Sequence, residues 1–182
     1  MTAARAAILL AALLPVAAQA QTSYRIDSAR THAEFEVEHL GVLRAQGRFE
    51  SVTGSLQYDA TAPAGAIDLA IHVASVATGW DSRDQFLRGT TMFDAARFPR
   101  MTFVSKRFQF ENGRVVGVDG DLTLRDVTRP VTFVVLAMQC EQGACRAVAT
   151  GAIRRREFAM DNWWPLIGDA VDLRLHVVAV KE

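Results

Sequence analysis

Thr31-His32-Ala33-Glu34-Phe35-Glu36-Val37-Glu38-His39 alternates without a break, with three glutamates on one parity and Ala33, Phe35 and Val37 on the other. Successive side chains of a strand point to opposite faces, so this stretch reads as a half-buried β-strand with one dry and one wet face. The pattern returns in Ile67-Asp68-Leu69-Ala70-Ile71-His72-Val73 and in Val171-Asp172-Leu173-Arg174-Leu175-His176-Val177. Further strands are expected over Gly47 to Val52, Ser55 to Tyr58, Met101 to Phe110, Arg114 to Leu124, Val131 to Met138 and Arg146 to Phe158. Between them stand turn-like separators: Thr53-Gly54, Ala62-Pro63-Ala64-Gly65, Glu111-Asn112-Gly113, Asp126-Val127-Thr128 and Glu141-Gln142-Gly143. About eight or nine short strands joined by tight turns point to an all-β, antiparallel meander closed into a barrel or folded as a sandwich. Strands and helices do not alternate, which argues against a parallel sheet.

Asp81 to Met92 departs from this period. Phe86, Leu87 and Met92 do not alternate, and Asp81 or Ser82 is placed to cap a short helix with Asp84 in its first turn. A helical insertion across one end of the barrel is expected.

The N-terminus reads as a secretory signal. Arg5 supplies positive charge, Ala6 to Ala18 is apolar, and Ala18-Gln19-Ala20 offers small residues for cleavage after Ala20. The expected organisation is a signal over 1–20 and a single exported domain over 21–182. Twenty basic and twenty acidic side chains balance, which argues against nucleic acid as a partner because phosphate binding needs a basic surface. The only two cysteines, Cys140 and Cys145, flank Glu141-Gln142-Gly143-Ala144. In an exported chain, cysteines at two strand ends across a hairpin are expected to pair as a disulfide.

Distributed motifs then resemble the YceI-like family of periplasmic proteins. Ile26-Asp27, Thr31-His32 and Phe35-x-Val37-x-His39-x-Gly41 are similar to its first strand, and Gly47-x-Phe49 and Gly54-x-Leu56 to the next two. Thr78, Arg83-Asp84, Leu87-Arg88, Phe93-Asp94-Ala95-Ala96-Arg97-Phe98-Pro99 and Thr102-Phe103 resemble its helical segment and re-entry strand. Gly120 to Arg125 with Val127-Thr128-Arg129-Pro130-Val131 resembles its most recognisable hairpin. Two positions depart from the pattern: Phe86 stands where family members commonly place His, and Asp126 where the hairpin usually has Gly. The resemblance implies a lipocalin-like antiparallel β-barrel and the binding of an isoprenoid or other long-chain lipid.

Alternation alone leaves open whether the inward face, formed by Phe35, Val37, Leu69, Ile71, Val73, Phe103, Leu122, Leu124, Phe133, Leu173 and Leu175, is a filled core or a cavity. The resemblance implies the cavity. On that reading Phe35, Val37, His39, Leu69, Ile71, Trp80, Phe86, Leu87, Met92, Phe93, Phe103, Phe133, Trp163, Trp164 and Leu175 contact the ligand. Trp80, Phe86, Met92, Phe93, Trp163 and Trp164 would form its wall and portal, or else plug the barrel ends. Trp163-Trp164 could also touch a membrane surface transiently while lipid is exchanged. Arg154-Arg155-Arg156 reads first as a solvated strand face; if some of that run sits near the mouth it could hold a diphosphate head group, for which Arg83, Arg88 and Arg125 are the other candidates.

His32, Glu34 and Glu36 share one outward parity, His39 takes the other, and His72 and His176 lie on the wet faces of other strands. One strand does not assemble the convergent ligands of a structural zinc site, so no metal is expected. No Gly-x-Ser-x-Gly elbow, His-Glu-x-x-His helix or phosphate loop is present, and neither catalysis nor a cofactor is expected. The alternatives are an enzyme using His39 or an acid at the mouth on a prenyl or quinone lipid, and an interaction module for a membrane redox partner. Oligomeric state is left open.

Overall fold

The computed structural model of the protein describes residues 22–59 and 64–182. The expected export signal, and Ala62 and Pro63 of one expected turn, lie outside the described residues. The strands are β1 (Thr22–Ile26), β2 (His32–His39), β3 (Leu43–Phe49), β4 (Val52–Asp59), β5 (Ala64–His72), β6 (Val76–Ala77), β7 (Arg100–Glu111), β8 (Arg114–Leu124), β9 (Val127–Glu141), β10 (Ala144–Arg154) and β11 (Ile167–Lys181). Among the described residues one α-helix, α1 (Asp81–Arg88), interrupts them.

Hydrogen bonding follows the order β1-β4-β5-β7-β8-β9-β10-β11 and closes from β11 back to β1. The closing register is Tyr24 opposite Lys181, Arg25 opposite Val180 and Ile26 opposite Ala179. The result is an antiparallel eight-stranded β-barrel, as the resemblance implies; the alternation by itself leaves barrel and sandwich open. β11 is long enough to serve two neighbours: its C-terminal end closes on β1, and Ile167 to His176 pair with β2. β3 and the short β6 continue the wall beyond β2. Leu87, Met92 and Phe93 are buried at this end, and the Phe93 ring meets Phe35 and Phe49 edge-on at 6.4 and 5.3 Å.

Local chemistry explains the hairpins. Asn112-Gly113, Arg125-Asp126 and Gln142-Gly143 each place two consecutive residues at positive φ, the backbone of a two-residue turn whose twist matches the strands it joins. At the second of these, Asp126 holds φ 59° without glycine, consistent with its tolerance of left-handed geometry. Cys140 stands opposite Cys145 across the third turn, and the two are joined by a disulfide.

The structure corrects several expectations of detail. Thr53-Gly54, expected as a turn, lies inside β4, and the strand expected over Gly47 to Val52 is divided between β3 and β4, with Glu50 and Ser51 between them. β1 is a strand that its short, weakly patterned sequence did not announce. The strand expected to run to Phe158 ends at Arg154, and Arg155–Phe158 forms a 3-10 turn. Neither Asp81 nor Ser82 caps α1: Trp80 occupies the cap position without a side-chain bond. Asp84 instead turns back to accept hydrogen bonds from the Thr78 amide at 2.9 Å and the Thr78 hydroxyl at 2.5 Å, tying the helix to the strand before it.

On the outer face, Asp119 of β8 links three strands. It accepts from Thr132 Oγ1 at 2.7 Å, Gln109 Nε2 at 2.9 Å and Arg107 Nη2 at 2.7 Å. Those bonds, that from Thr132 foremost, hold its carboxyl down to a pKa of about 2. A depressed carboxyl stabilises the fold above the unfolded value and loses that contribution as pH falls through the folded one. The network should therefore persist down to about pH 2. NMR titration of the Asp119 carboxyl carbon should show its inflection well below that of an ordinary aspartate, and Thr132→Val should raise it.

Candidate functional site: a dry cavity and its rim

Inward residues of eight barrel and wall strands, together with α1 and its following turn, enclose an apolar cavity of about 100 Å³. The structure brings ten of the expected ligand residues to its wall: Phe35, Val37, Leu69, Ile71, Leu87, Met92, Phe93, Phe103, Phe133 and Leu175. A second void of about 50 Å³ lies toward the closed end, between Leu56, Phe108, Val118 and Met138. The two share Leu69, Phe103, Phe133 and Leu175. Phe103 and Phe133 meet edge to face at 5.1 Å and so divide the interior into two compartments. Glycine lets the rings lie close to the wall, because a Cβ on Gly120 would stand 2.5 Å from the Phe103 ring and one on Gly151 3.0 Å from the Phe133 ring.

Their size bears on function. A dry cavity of about 150 Å³ lined by Leu, Ile and Phe accepts one benzene-sized molecule. The two voids together reach that scale, so the barrel has room for roughly one isoprene unit without rearrangement. A longer chain requires side chains to move, and three buried methionines, Met92, Met101 and Met160, line the larger void. Methionine is unbranched and repacks readily.

Two charged residues belong to the cavity wall, Glu34 and Arg155; the Glu34 carboxylate turns outward to His32 and His176. Arg155 was expected on a solvated face but is only 2 % exposed. Its Nε donates to Gly168 O at 2.8 Å, Nη1 to Asn162 O at 2.9 Å and to Met160 O, and Nη2 to Ile167 O at 2.9 Å. Burial lowers its pKa from the usual guanidinium value, while Asp169 and Asp161 oppose that shift from a distance. The signal was available: Ile153 and Arg155 share a parity, and both line the cavity. The lining residues not anticipated as ligand contacts also include Phe49, Met101, Met160, Ile167 and Val171.

His39, Trp80, Phe86, Trp163 and Trp164 lie outside the cavity wall. His39 sits at the end of β2, opposite Ile167 and Leu43. Trp163 packs edge-on against Phe86 at 5.5 Å, and the Leu40 amide donates to Leu166 O at 2.8 Å, joining the β2–β3 turn to the loop before β11. This leaves Leu40, Val42, Leu43, Phe86, Trp163, Trp164 and Leu166 exposed together around the open end. Arg83, Arg88 and Arg125 are engaged with the backbone carbonyls of Thr78, Val76 and Ala159.

Comparison with known proteins agrees with this architecture. A YceI-like domain matches residues 24–179. A UPF0312 protein of Vibrio vulnificus is 34% identical over 177 residues, spanning 93% of this chain and 92% of the relative. One from Vibrio parahaemolyticus is 31% identical over 183 residues, spanning 96% and 95%. Among solved structures, BcnA of Burkholderia cenocepacia superposes with a TM-score of 0.76 at 24% identity, covering 85% of this chain and 99% of BcnA. A domain from Saccharophagus degradans described as polyisoprenoid-binding superposes at 0.67 with 19% identity, covering 88% and 99%. With the domain match running from β1 into the closing end of β11, the chain belongs to the YceI-like family.

Proposed function

We propose that the protein is a periplasmic carrier or store that holds the tail of an isoprenoid-like or other long-chain amphiphile in its barrel, with the polar head at the open end. The observation that carries this reading is the dry cavity between α1 and the barrel wall, apolar apart from Glu34 and Arg155. Each methylene-sized group buried there contributes about 0.8 kcal/mol, so a tail of a few isoprene units binds firmly once Met92, Met101 and Met160 move to admit more than the first unit. The binding description of the Saccharophagus degradans domain supports the ligand class. The action is reversible burial, without chemistry.

The exposed aromatic and aliphatic rim suits lipid exchange at a membrane surface. Trp and Tyr favour the interface between headgroups and hydrocarbon, and the paired Trp163 and Trp164 stand beside Leu166 and the Leu40–Leu43 turn. No helix among the described residues is long and apolar enough to cross a membrane.

Native mass spectrometry of gently purified protein, followed by organic extraction, tests the reading. It should show a bound lipid, or uptake of a prenyl alcohol from vesicles. Trp163→Ser with Trp164→Ser should slow uptake from vesicles and leave occupancy from detergent solution unchanged. Protein that is reproducibly free of lipid and takes up no prenyl alcohol from either source would sink the carrier reading.

A further inference from the structure

We propose that His32, Glu34 and His176 form a three-ligand site for a divalent transition ion of the zinc class on the outer face of the β2–β11 pair. The site is independent of the lipid cavity's occupancy. His176 stands directly opposite His32 in the register, and Glu34 is two residues along β2 on the same face. His32 Nε2 lies 3.4 Å from Glu34 Oε1, and His176 Nε2 lies 3.5 Å from Glu34 Oε2. The two imidazoles stack at 4.6 Å with 14° between their planes, and the three ligand atoms all lie within 4.8 Å of one another.

These distances fit a metal. Tetrahedral zinc with bonds of about 2.0–2.1 Å separates its ligand atoms by about 3.3 Å, close to both nitrogen–oxygen distances found here, one to each oxygen of the Glu34 carboxylate. The three residues supply two imidazoles and one carboxylate, leaving a fourth position for water. That donor set favours zinc, copper, nickel or cobalt over magnesium and calcium, which prefer oxygen ligands. The only two cysteines are joined to each other, so no thiolate competes. Glu34's cross-strand neighbours are Arg48 and Arg174, and Arg48 is paired with Glu50 at 2.7 Å. All three ligand side chains remain a third or more exposed, so an ion reaches them without unfolding.

The reading of His32 and His176 as members of separate wet faces missed this, because strand parity says nothing about which strands become neighbours. Their meeting point also has a mechanical meaning. Just beyond His176, β11 passes from β2 to β1, and Thr31 Oγ1 exchanges hydrogen bonds with Val178 there. An ion at this position clips β2 to β11 where the continuous wall changes partner.

Titration calorimetry of the untagged protein with zinc should give saturable equimolar binding. Cobalt should give the visible absorption bands of a low-symmetry tetrahedral site. Saturating zinc should raise the melting temperature, since an ion that binds the folded state alone stabilises it. His32→Ala, His176→Ala and Glu34→Gln should each weaken zinc binding at least about tenfold, with circular dichroism confirming that the barrel is intact; His72→Ala should bind as the parent does. Absence of saturable equimolar binding, or parental affinity in both His32→Ala and His176→Ala, overturns the site. Lipid occupancy measured on the same variants keeps this outcome separate from that of the carrier reading.

Discussion

Arg155→Met should lower the stability of the protein by about 3–4 kcal/mol and free the loop that closes the open end. Hydrogen bonds from a charged donor contribute about 1.5–3 kcal/mol each, and this guanidinium donates to Met160, Asn162, Ile167 and Gly168. The sum overstates the loss, because the segment lies at the surface and its released carbonyls can turn to water. What the substitution removes is the one group holding both ends of the 160–168 segment to the same point. Lysine cannot replace it: a single ammonium has three donors and no planar fork, so Arg155→Lys should recover less than half the loss. Denaturant titration should show a lower midpoint with little change in slope, and proteases should cut between Ala159 and Leu166 at concentrations that spare the parent. A stability within about 1 kcal/mol of the parent would mean that the loop is held by its own turns and not by Arg155.

The contrast between Arg155 and its neighbours shows what a single sequence reveals. Alternation located β2, β5 and the middle of β11, because a barrel strand has one face in oil and one in water and composition records that directly; it missed Ile167 to Ala170 and Val178 to Lys181 at the ends of β11. In Arg154-Arg155-Arg156 the same rule is overridden: identical side chains occupy both faces, and the inward one is tolerated only because four carbonyls converge on it. That convergence depends on a loop whose path no periodicity encodes. Closure is non-local in the same way, since β1 is five residues long and gains its meaning only from pairing with β11. The cavity wall was legible where it is built from strands. It was illegible where Met160 and Ile167 come from the segment that crosses the mouth, and the separation of the rim aromatics from the wall depends on the path of that same segment.

Phe133→Ala should join the two interior voids and change which guests fit. Phe133 is 4 % exposed and its ring, edge to face with Phe103, lies between the compartments. Deleting a buried phenyl ring costs about 3–5 kcal/mol, the larger values belonging to sites that cannot collapse. A closed barrel collapses poorly, and Gly151 has no side chain to fill the space behind the ring. The guest-free variant should therefore fall near the upper end of that range. A guest reverses the balance: an isoprene unit that fills the merged space regains about 0.8 kcal/mol for each methylene-sized group. Farnesol should gain at least about tenfold in affinity over geraniol, relative to the parent, and should restore part of the lost melting temperature. The two readouts divide the interpretations. If stability falls and the preference for the longer alcohol does not rise, the rings are core packing and a bound tail stops above them. If the preference rises and the longer alcohol restores part of the lost stability, Phe103 and Phe133 set the depth to which a chain enters, and the length of lipid the barrel takes is determined at its middle and not at its mouth.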